Sequence, residues 1–356
     1  MVTETVNATK TFGSGASNQT FDLGGVTYKR GTSLGDKQVV SLTGMGNILR
    51  NFKVDDSGLS GVSGAVSLGG TDCRIEDAEL DNCIRYGFIF GFGALRCTYR
   101  RLTIKKCQHG ISGSSGSTGE WNSARIQTDC IIEDCDISGM QIDGIKLKQM
   151  LRTIVRRNKI DVYPKYPEIS SKSGIYFAGS DTASKDCIIE NNTIYQSAPT
   201  PAGVSVSRAM LINADQTVAP TVVSSGNKIR NNVMRDMKTG VWLRPNTKGW
   251  YLEANQMIGV ATPYDNDGAN NTIIPYVPPP PDPCQPYKEQ VATLQGQLTA
   301  LNNMITGLNA EVTALNEEVD SQTASMQGLA SQIQVQESVI GGLKAKMDSA
   351  RSVLIY

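Results

Sequence analysis

"DCIIEDCDI", Asp129 to Ile137, is written nearly unchanged a second time as "DCIIENNTI", Asp186 to Ile194. With inserts of variable length allowed, the phrase recurs in copies that start at Asn47, Cys73, Cys97, Cys130, Thr153, Cys187, Asn227 and Trp250, about 23 to 26 residues apart at the tightest. A period in that range marks a solenoid, in which each repeat is one supersecondary unit stacked on the last. The third position of the unit holds Leu49, Ile75, Tyr99, Ile132, Val155, Ile189, Ile229 and Leu252, and the eighth holds Val54, Leu80, Ile104, Ile137, Ile160, Ile194, Met234 and Met257. These are strand-forming residues suited to an interior. A second phrase, a Gly followed by alternating apolar residues, follows most copies: "GFIF" at Gly87, "GIS" at Gly110, "GIKL" at Gly144, "GIYF" at Gly174, "GVSV" at Gly203 and "GVWL" at Gly240. It reads as another strand, entered through a bend where Gly takes a positive φ without steric penalty. Short strands in coils of this length, stacked in register at about 4.8 Å, make a parallel β-helix. Leucine-rich repeats share the period, but their LxxLxLxxN pattern is absent.

Equivalent positions become files along such a rod. Cys73, Cys97, Cys130 and Cys187 share the first position and Cys83 with Cys107 form a shorter file, read as small thiols in a narrow core. Stacked Cα atoms would also lie within disulfide range. Asn158, Asn192, Asn232 and Asn255 share the sixth position, where stacked amides satisfy one another. The fourth position reads Arg50, Glu76, Arg100, Glu133, Arg156, Glu190, Arg230, Glu253: charged in every copy and alternating in sign. In a chain with 19% charged residues this pattern predicts consecutive rungs that select register by charge. It also predicts that the long intervals after Thr153 and Cys187 are loops leaving single coils.

The organisation expected is a cap at 1–45, a β-helix at 46–274, a linker at 275–287 holding Pro278 to Pro281, and a helical coiled coil at 288–356. In the last segment Val291, Leu298, Ile305, Val312, Val319, Met326, Ile333, Ile340, Met347 and Leu354 alternate at 3,4 spacing with Leu294, Leu301, Leu308, Leu315, Gln322, Leu329, Gln336, Leu343 and Ala350. An unbroken heptad of that length is about 95 Å of helix at 1.5 Å per residue and reads as an oligomerising coiled coil. Branched first positions with Leu second nominally favour a dimer, whereas Gln322 and Gln336 suit a wider core. Cys284, just before the coil, is a candidate for an interchain disulfide or a free thiol.

The totals narrow the rest. The chain has 356 residues, 34 basic and 34 acidic, so net charge proposes no nucleic-acid or anionic-membrane partner. Its first residues lack a secretion signal, and no apolar run approaches the roughly 18 residues of a membrane span. The eight cysteines show no CxxC zinc spacing, and no metal or cofactor is expected.

A polar start, a short β-helix opened by "DLGGVTY", the NxI phrases "NNTI" and "RNKI", and a long C-terminal coil resemble a bacteriophage tailspike or tail fibre with a pectate-lyase-like right-handed parallel β-helix. The resemblance implies a homotrimer assembled in the host cytoplasm and carried on the virion among other structural proteins, with a host surface polysaccharide as ligand. It also implies reduced core cysteines. A structural or adhesive role is the first reading and a depolymerase the second.

For chemistry, two carboxylates would be needed for glycoside hydrolysis. Candidates are Glu120, Asp134, Asp136, Asp143, Asp161 and Asp181, and no pair stands out, a solvated surface being the plain reading of each. Glu120 and Trp121, in the loop Gly113 to Gln127, are candidate glycan contacts, with packing against a neighbouring subunit the alternative for Trp121. So are Lys146, Lys148 and Arg157, in a basic cluster with Arg152 and Arg156 that could hold a uronate chain. His109 is the chain's one histidine, which excludes multi-histidine metal sites, and its place before Gly110 suggests a turn.

Overall fold

The computed structural model describes residues 2–57, 64–83, 85–113, 126–162, 171–178, 184–197, 206–213, 224–245, 247–278 and 285–353. The chain divides into two units, Met1–Val277 and Pro278–Tyr356. Among the described residues of the first, seventeen strands form one parallel sheet and ten form another. A coil typically contributes two short strands to the long sheet and one to the short sheet. In one coil, for example, Ile131–Glu133 and Asp136–Ser138 precede Asp143–Leu147.

Register follows the repeat. Arg50 pairs with Glu76, Glu76 with Arg100, Arg100 with Glu133, Glu133 with Arg156, Arg156 with Glu190, Glu190 with Arg230 and Arg230 with Glu253. The strands on either side of the two long intervals therefore pair directly. Asp22 extends the file by one rung, pairing with Arg50 just before a bulge at Gly24 and Gly25, whose φ values of 58° and 80° suit glycine. The ion pairs are selective. Arg50 holds Asp22 at 2.9 Å, Arg156 holds Glu133 at 2.7 Å and Arg230 holds Glu190 at 2.7 Å.

Two further files flank this one at left-handed turns. Asp72, Arg96, Asp129 and Arg152 precede the first position and Asp77, Arg101, Asp134 and Arg157 follow the fourth, all with φ between 49° and 58°. Asp tolerates that conformation, while Arg is strained by it. The arginines are compensated by two-pronged bonds to the Asp one coil below: Arg96 to Asp72 at 2.6 and 2.7 Å, Arg152 to Asp129 at 2.6 and 2.8 Å, and Arg157 to Asp134 at 2.7 and 2.9 Å. Arg157 thus sits at the turn between two long-sheet strands, Ile154–Arg156 and Lys159–Asp161. It is not brought to Lys146, which lies in a short-sheet strand.

The interior is narrow. Third-position residues from Leu49 to Leu252 are fully buried, facing Phe88, Ile111, Ile145, Ile175, Met210 and Val241 from the short sheet. Such side chains each contribute about 1.5–3 kcal/mol of burial. Tyr99 packs between Phe88 and Phe90 and donates its hydroxyl hydrogen to the Ile89 carbonyl at 2.6 Å. Seven cysteines, Cys73, Cys83, Cys97, Cys107, Cys130, Cys135 and Cys187, are buried and free, and burial pushes the Cys130, Cys135 and Cys187 thiols up to about 12. Asn158, Asn192, Asn232 and Asn255 form a buried amide ladder, each Nδ2 donating to the next Oδ1 at 2.9 Å.

The second phrase differs from expectation in two ways. Gly87, Gly110, Gly144, Gly174 and Gly240 do not have positive φ. Glycine is needed there for space: a Cβ on Gly144 would sit 2.6 Å from Ile160 Cγ2 and 2.7 Å from the Gly174 carbonyl, and one on Gly174 would sit 2.4 Å from Ile194 Cγ2. The eighth-position residues of the long sheet fill the room a side chain would take. In the following coil the strand is Val206–Asn213 rather than "GVSV". Met210 pairs with Ile175, so Ala209 stands in the glycine file, while Gly203 lies outside the described residues.

The second unit is one helix, Gln285–Val353. Its heptad residues, among them Val291, Leu294, Leu298, Leu301, Ile305, Leu308, Val312, Leu315, Val319, Leu329, Ile333, Ile340 and Leu343, are exposed in the single chain. Among the described residues no helix is long and apolar enough to cross a membrane. Cys284 lies outside the described residues.

Candidate functional site

A Cβ on each kink glycine would face the core, so the residue before it is turned to the outside of the short sheet. Those residues form a file: Tyr86, His109, Asp143, Ser173, Arg208, Thr239 and Thr262 on successive rungs. Beside it runs a second outward file, Ser112, Lys146, Tyr176, Leu211, Trp242 and Asp265. Although turned away from the core, His109, Asp143, Ser173 and Arg208 are only 3%, 2%, 1% and 6% exposed. The solenoid does not need ionisable groups there, since Thr serves at the top of the same file.

His109 begins the strand His109–Gly113 rather than occupying a turn. Its Nδ1 lies 3.0 Å from Asp143 Oδ2, and its ring stacks on Tyr86 with centroids 5.0 Å apart and planes 16° from parallel. The Arg85 guanidinium stands 5.1 Å from the same tyrosine ring. Burial lowers the His109 pKa below its ordinary value, with Asp143 opposing. The imidazole is therefore neutral near pH 7, and its Nδ1 lies beside Asp143 Oδ2 without reaching hydrogen-bond geometry. Ser173 Oγ is buried without a hydrogen-bond partner among the described residues. Asp143, not His109, is its neighbour in the file, so the three do not form a serine nucleophile with its base.

At the upper end the Trp242 ring carries two guanidiniums, Arg208 at 4.2 Å and Arg244 at 5.4 Å from its centroid. Its Nε1 donates to Asp267 Oδ2 at 3.0 Å. Burial, and next the nearby Arg244 charge, push Arg208 below the ordinary guanidinium pKa. Lys146 Nζ stands 5.9 Å from the Tyr176 ring, whose hydroxyl accepts from Asn213 Nδ2 at 3.4 Å.

Of the sequence candidates, Lys146 lies on this face, Lys148 directly follows its strand, and Asp143 is the one carboxylate of that set in the buried file. Asp134 is engaged by Arg157, Asp136 faces Lys159 at 4.0 Å, and Asp161 accepts the Ser197 amide at 3.1 Å. Glu120, Trp121 and Asp181 lie outside the described residues. His109, Ser173, Arg208, Trp242 and Arg244 were not legible as a group. The available signal was the letter before each kink glycine, which reads Tyr, His, Asp, Ser. Among the described residues no group of three or more His, Cys, Asp or Glu could hold a metal ion. A cleft of about 400 Å³ over the long sheet at Gly24, Asn51, Lys53, Asp77 and Glu79 offers charges that are already paired, Lys53 with Glu79 and Asp77 with Arg101.

Solved structures share the fold, among them the following two. An alginate lyase from Paenibacillus sp. str. FPU-7 matches with a TM-score of 0.53 at 14% identity, over 75% of this chain and 91% of its own. The Dettilon tailspike protein matches with a TM-score of 0.53 at 16% identity, over 71% of this chain and 46% of its own, so the chain spans less than half of that tailspike. No curated protein sequence matches the chain. The model of the right-handed β-helix region matches residues 38–272 and, with the parallel coils and kinked short sheet described above, places the chain in the right-handed β-helix family.

Proposed function

We propose that the chain is a tailspike-like spike or fibre of a bacteriophage virion, trimeric through its C-terminal helix, that engages a host surface polysaccharide along the outer face of its short sheet. The observation that carries this reading is the partly exposed stripe of Tyr86, Lys146, Tyr176 and Trp242 on the outer face of the short sheet. These side chains keep part of their surface in solvent and pair apolar rings with polar heads, the combination a sugar chain can use. The aromatic rings of Tyr86, Tyr176 and Trp242 on the same wall suit sugar faces. The exposed heptad stripe supports oligomerisation, because a lone helix with that stripe leaves its apolar face in water. Equilibrium binding of the purified protein to capsule and lipopolysaccharide from candidate hosts tests the reading. Retention of one host's glycan, weakened at least tenfold by Tyr176→Ala or Trp242→Ala, is expected, and no retention of any host glycan ends it.

A second reading, cleavage of that polysaccharide, rests on the His109–Asp143 pair, whose imidazole is held neutral by burial and so can take up a proton. Sustained release of reducing ends or unsaturated sugars by the wild type, abolished in His109→Gln, is its expected signature. Binding without any product leaves the adhesive reading alone.

A further inference from the structure

Gln322 and Gln336 are the polar residues of the heptad seam from Val291 to Met347, both at its second position, whereas every first-position residue there is aliphatic or Met. The apolar stripe is exposed on the helix Gln285–Val353, and Met304 and Val339, each just before a first-position Ile, widen it on one flank. A stripe wider than the two seam positions suits three strands, whose flanks are covered more fully than those of two. Charge does not choose the direction of the copies. In a parallel bundle the flanking Glu311 and Glu318 meet Asn316 and Thr323, and Lys346 meets Arg351. In an antiparallel bundle with full overlap the acidic run Glu311 to Asp320 faces residues 321–330, which hold no charge. The two amides do choose. Reversing one helix sets second-position residues against first-position ones, so any antiparallel register leaves Gln322 and Gln336 facing an apolar side chain. A parallel bundle out of step by one heptad sets both against Leu, and one out of step by two matches a single pair and leaves the others against Leu308 and Ala350. The parallel bundle in step matches both layers. Within one chain Gln322 Nε2 donates to Glu318 Oε1 at 3.3 Å, which occupies one of its two amide hydrogens.

We infer that Gln322 and Gln336 set the direction and register of three parallel copies of this chain, each layer closing a ring in which one amide donates to the next copy's carbonyl oxygen. This rests on the trimeric fibre reading above. The rings satisfy amides that an apolar neighbour would leave unpaired, so the layers cost stability relative to Leu and select one arrangement from several. The three chains then enter the bundle at the same end, which tethers their glycan-binding faces together and raises their joint avidity.

The full-length protein carrying Cys284→Ser and Ser338→Cys is spin-labelled at position 338, away from the stripe, the other cysteines being buried. Pulsed dipolar spectroscopy is expected to give one separation of roughly 25 Å, about two helix diameters. An antiparallel pair with full overlap would set position 338 near Asn303 of the next copy and part the labels by roughly 50 Å. Light scattering is expected to give the mass of three chains. Adding Gln322→Leu and Gln336→Leu is expected to leave the helix folded and associated while raising the long-separation fraction about tenfold or more. Labels far apart with both glutamines in place overturn the inference, as does a double variant that keeps the single short separation. A mass of two chains overturns the three-fold ring. A helical chain that stays monomeric at micromolar concentration overturns the inference and the trimeric reading together. Three parallel copies without glycan retention uphold the register and end the adhesive reading alone.

Discussion

Asn192→Ala removes the centre of the amide ladder, and its effect follows from the bonds counted in the structure. The Asn192 Oδ1 accepts from the Asn158 amide at 3.0 Å and from Asn158 Nδ2 at 2.9 Å, while its Nδ2 donates to the Val155 carbonyl and to Asn232 Oδ1, each at 2.9 Å. The side chain is 1% exposed, so water cannot replace it. Four such bonds at about 1 kcal/mol net each give about 4 kcal/mol. Two neighbours are partly rescued: Asn158 Nδ2 keeps the Ile132 carbonyl at 3.0 Å, and Asn232 Oδ1 keeps the backbone amide of residue 192 at 3.0 Å. The void left by the truncated amide acts in the other direction. The expected loss is therefore about 3–5 kcal/mol, read from the urea midpoint at unchanged slope by the fluorescence of Trp250, which is buried against Phe177. Arg230→Ala, in the charge file and bonded to Glu190 at 2.7 Å at the surface, should cost about 1 kcal/mol or less. An Asn192→Ala loss below about 1 kcal/mol, or an Arg230→Ala loss as large as it, would refute the claim that the buried amides, rather than the charges, hold the coils together.

Gly144→Ala should destabilise by about 1–3 kcal/mol, since its Cβ meets Ile160 and the Gly174 carbonyl below 3 Å, whereas Gly91→Ala, with no contact nearer than 3.4 Å, should stay within about 0.5 kcal/mol; equal urea midpoints for the two would remove the steric account of the kink. The His109 pKa is lowered on folding, so below its unfolded value of about 6.5 the unfolded chain binds the extra proton first. Its contribution is full above about pH 6.5 and is lost as pH falls below that. Urea midpoints between pH 7.5 and 5 should decline, and His109→Gln should flatten the part of that decline just below 6.5; an identical slope in the variant means the imidazole is not desolvated. Leu308→Asp puts a carboxylate in the middle of the exposed heptad stripe and should lower the molar mass measured by light scattering at micromolar protein. An unchanged mass would show that the helix is not what joins the copies.

Much of the rod was legible because its residues answer to one another. The alternation from Arg50 to Glu253, the amides from Asn158 to Asn255 and the apolar third position are each chosen for the equivalent residue one coil away, so the choice repeats and can be read along the chain. Two parts of that reading missed their cause. The kink glycines read as conformational in one dimension and are steric in three, because what forbids a Cβ at Gly144 is Ile160, a residue of the facing sheet. The arginines at left-handed turns, Arg96 and Arg152 among them, break local preference and make sense only beside the Asp one coil below.

The sequence by itself determined that the backbone winds in stacked parallel coils and ends in a long heptad helix, because both are periodic and a period survives in one dimension. Only the tertiary structure decided that His109 meets Asp143 and that Arg208 and Arg244 share the ring of Trp242. Those residues sit on a wall where neighbours do not constrain one another by type, so no repeat announces them. Which of them touch depends on how inserts of different length return the chain to the next rung, and that is fixed by backbone pairing across coils rather than by any local pattern.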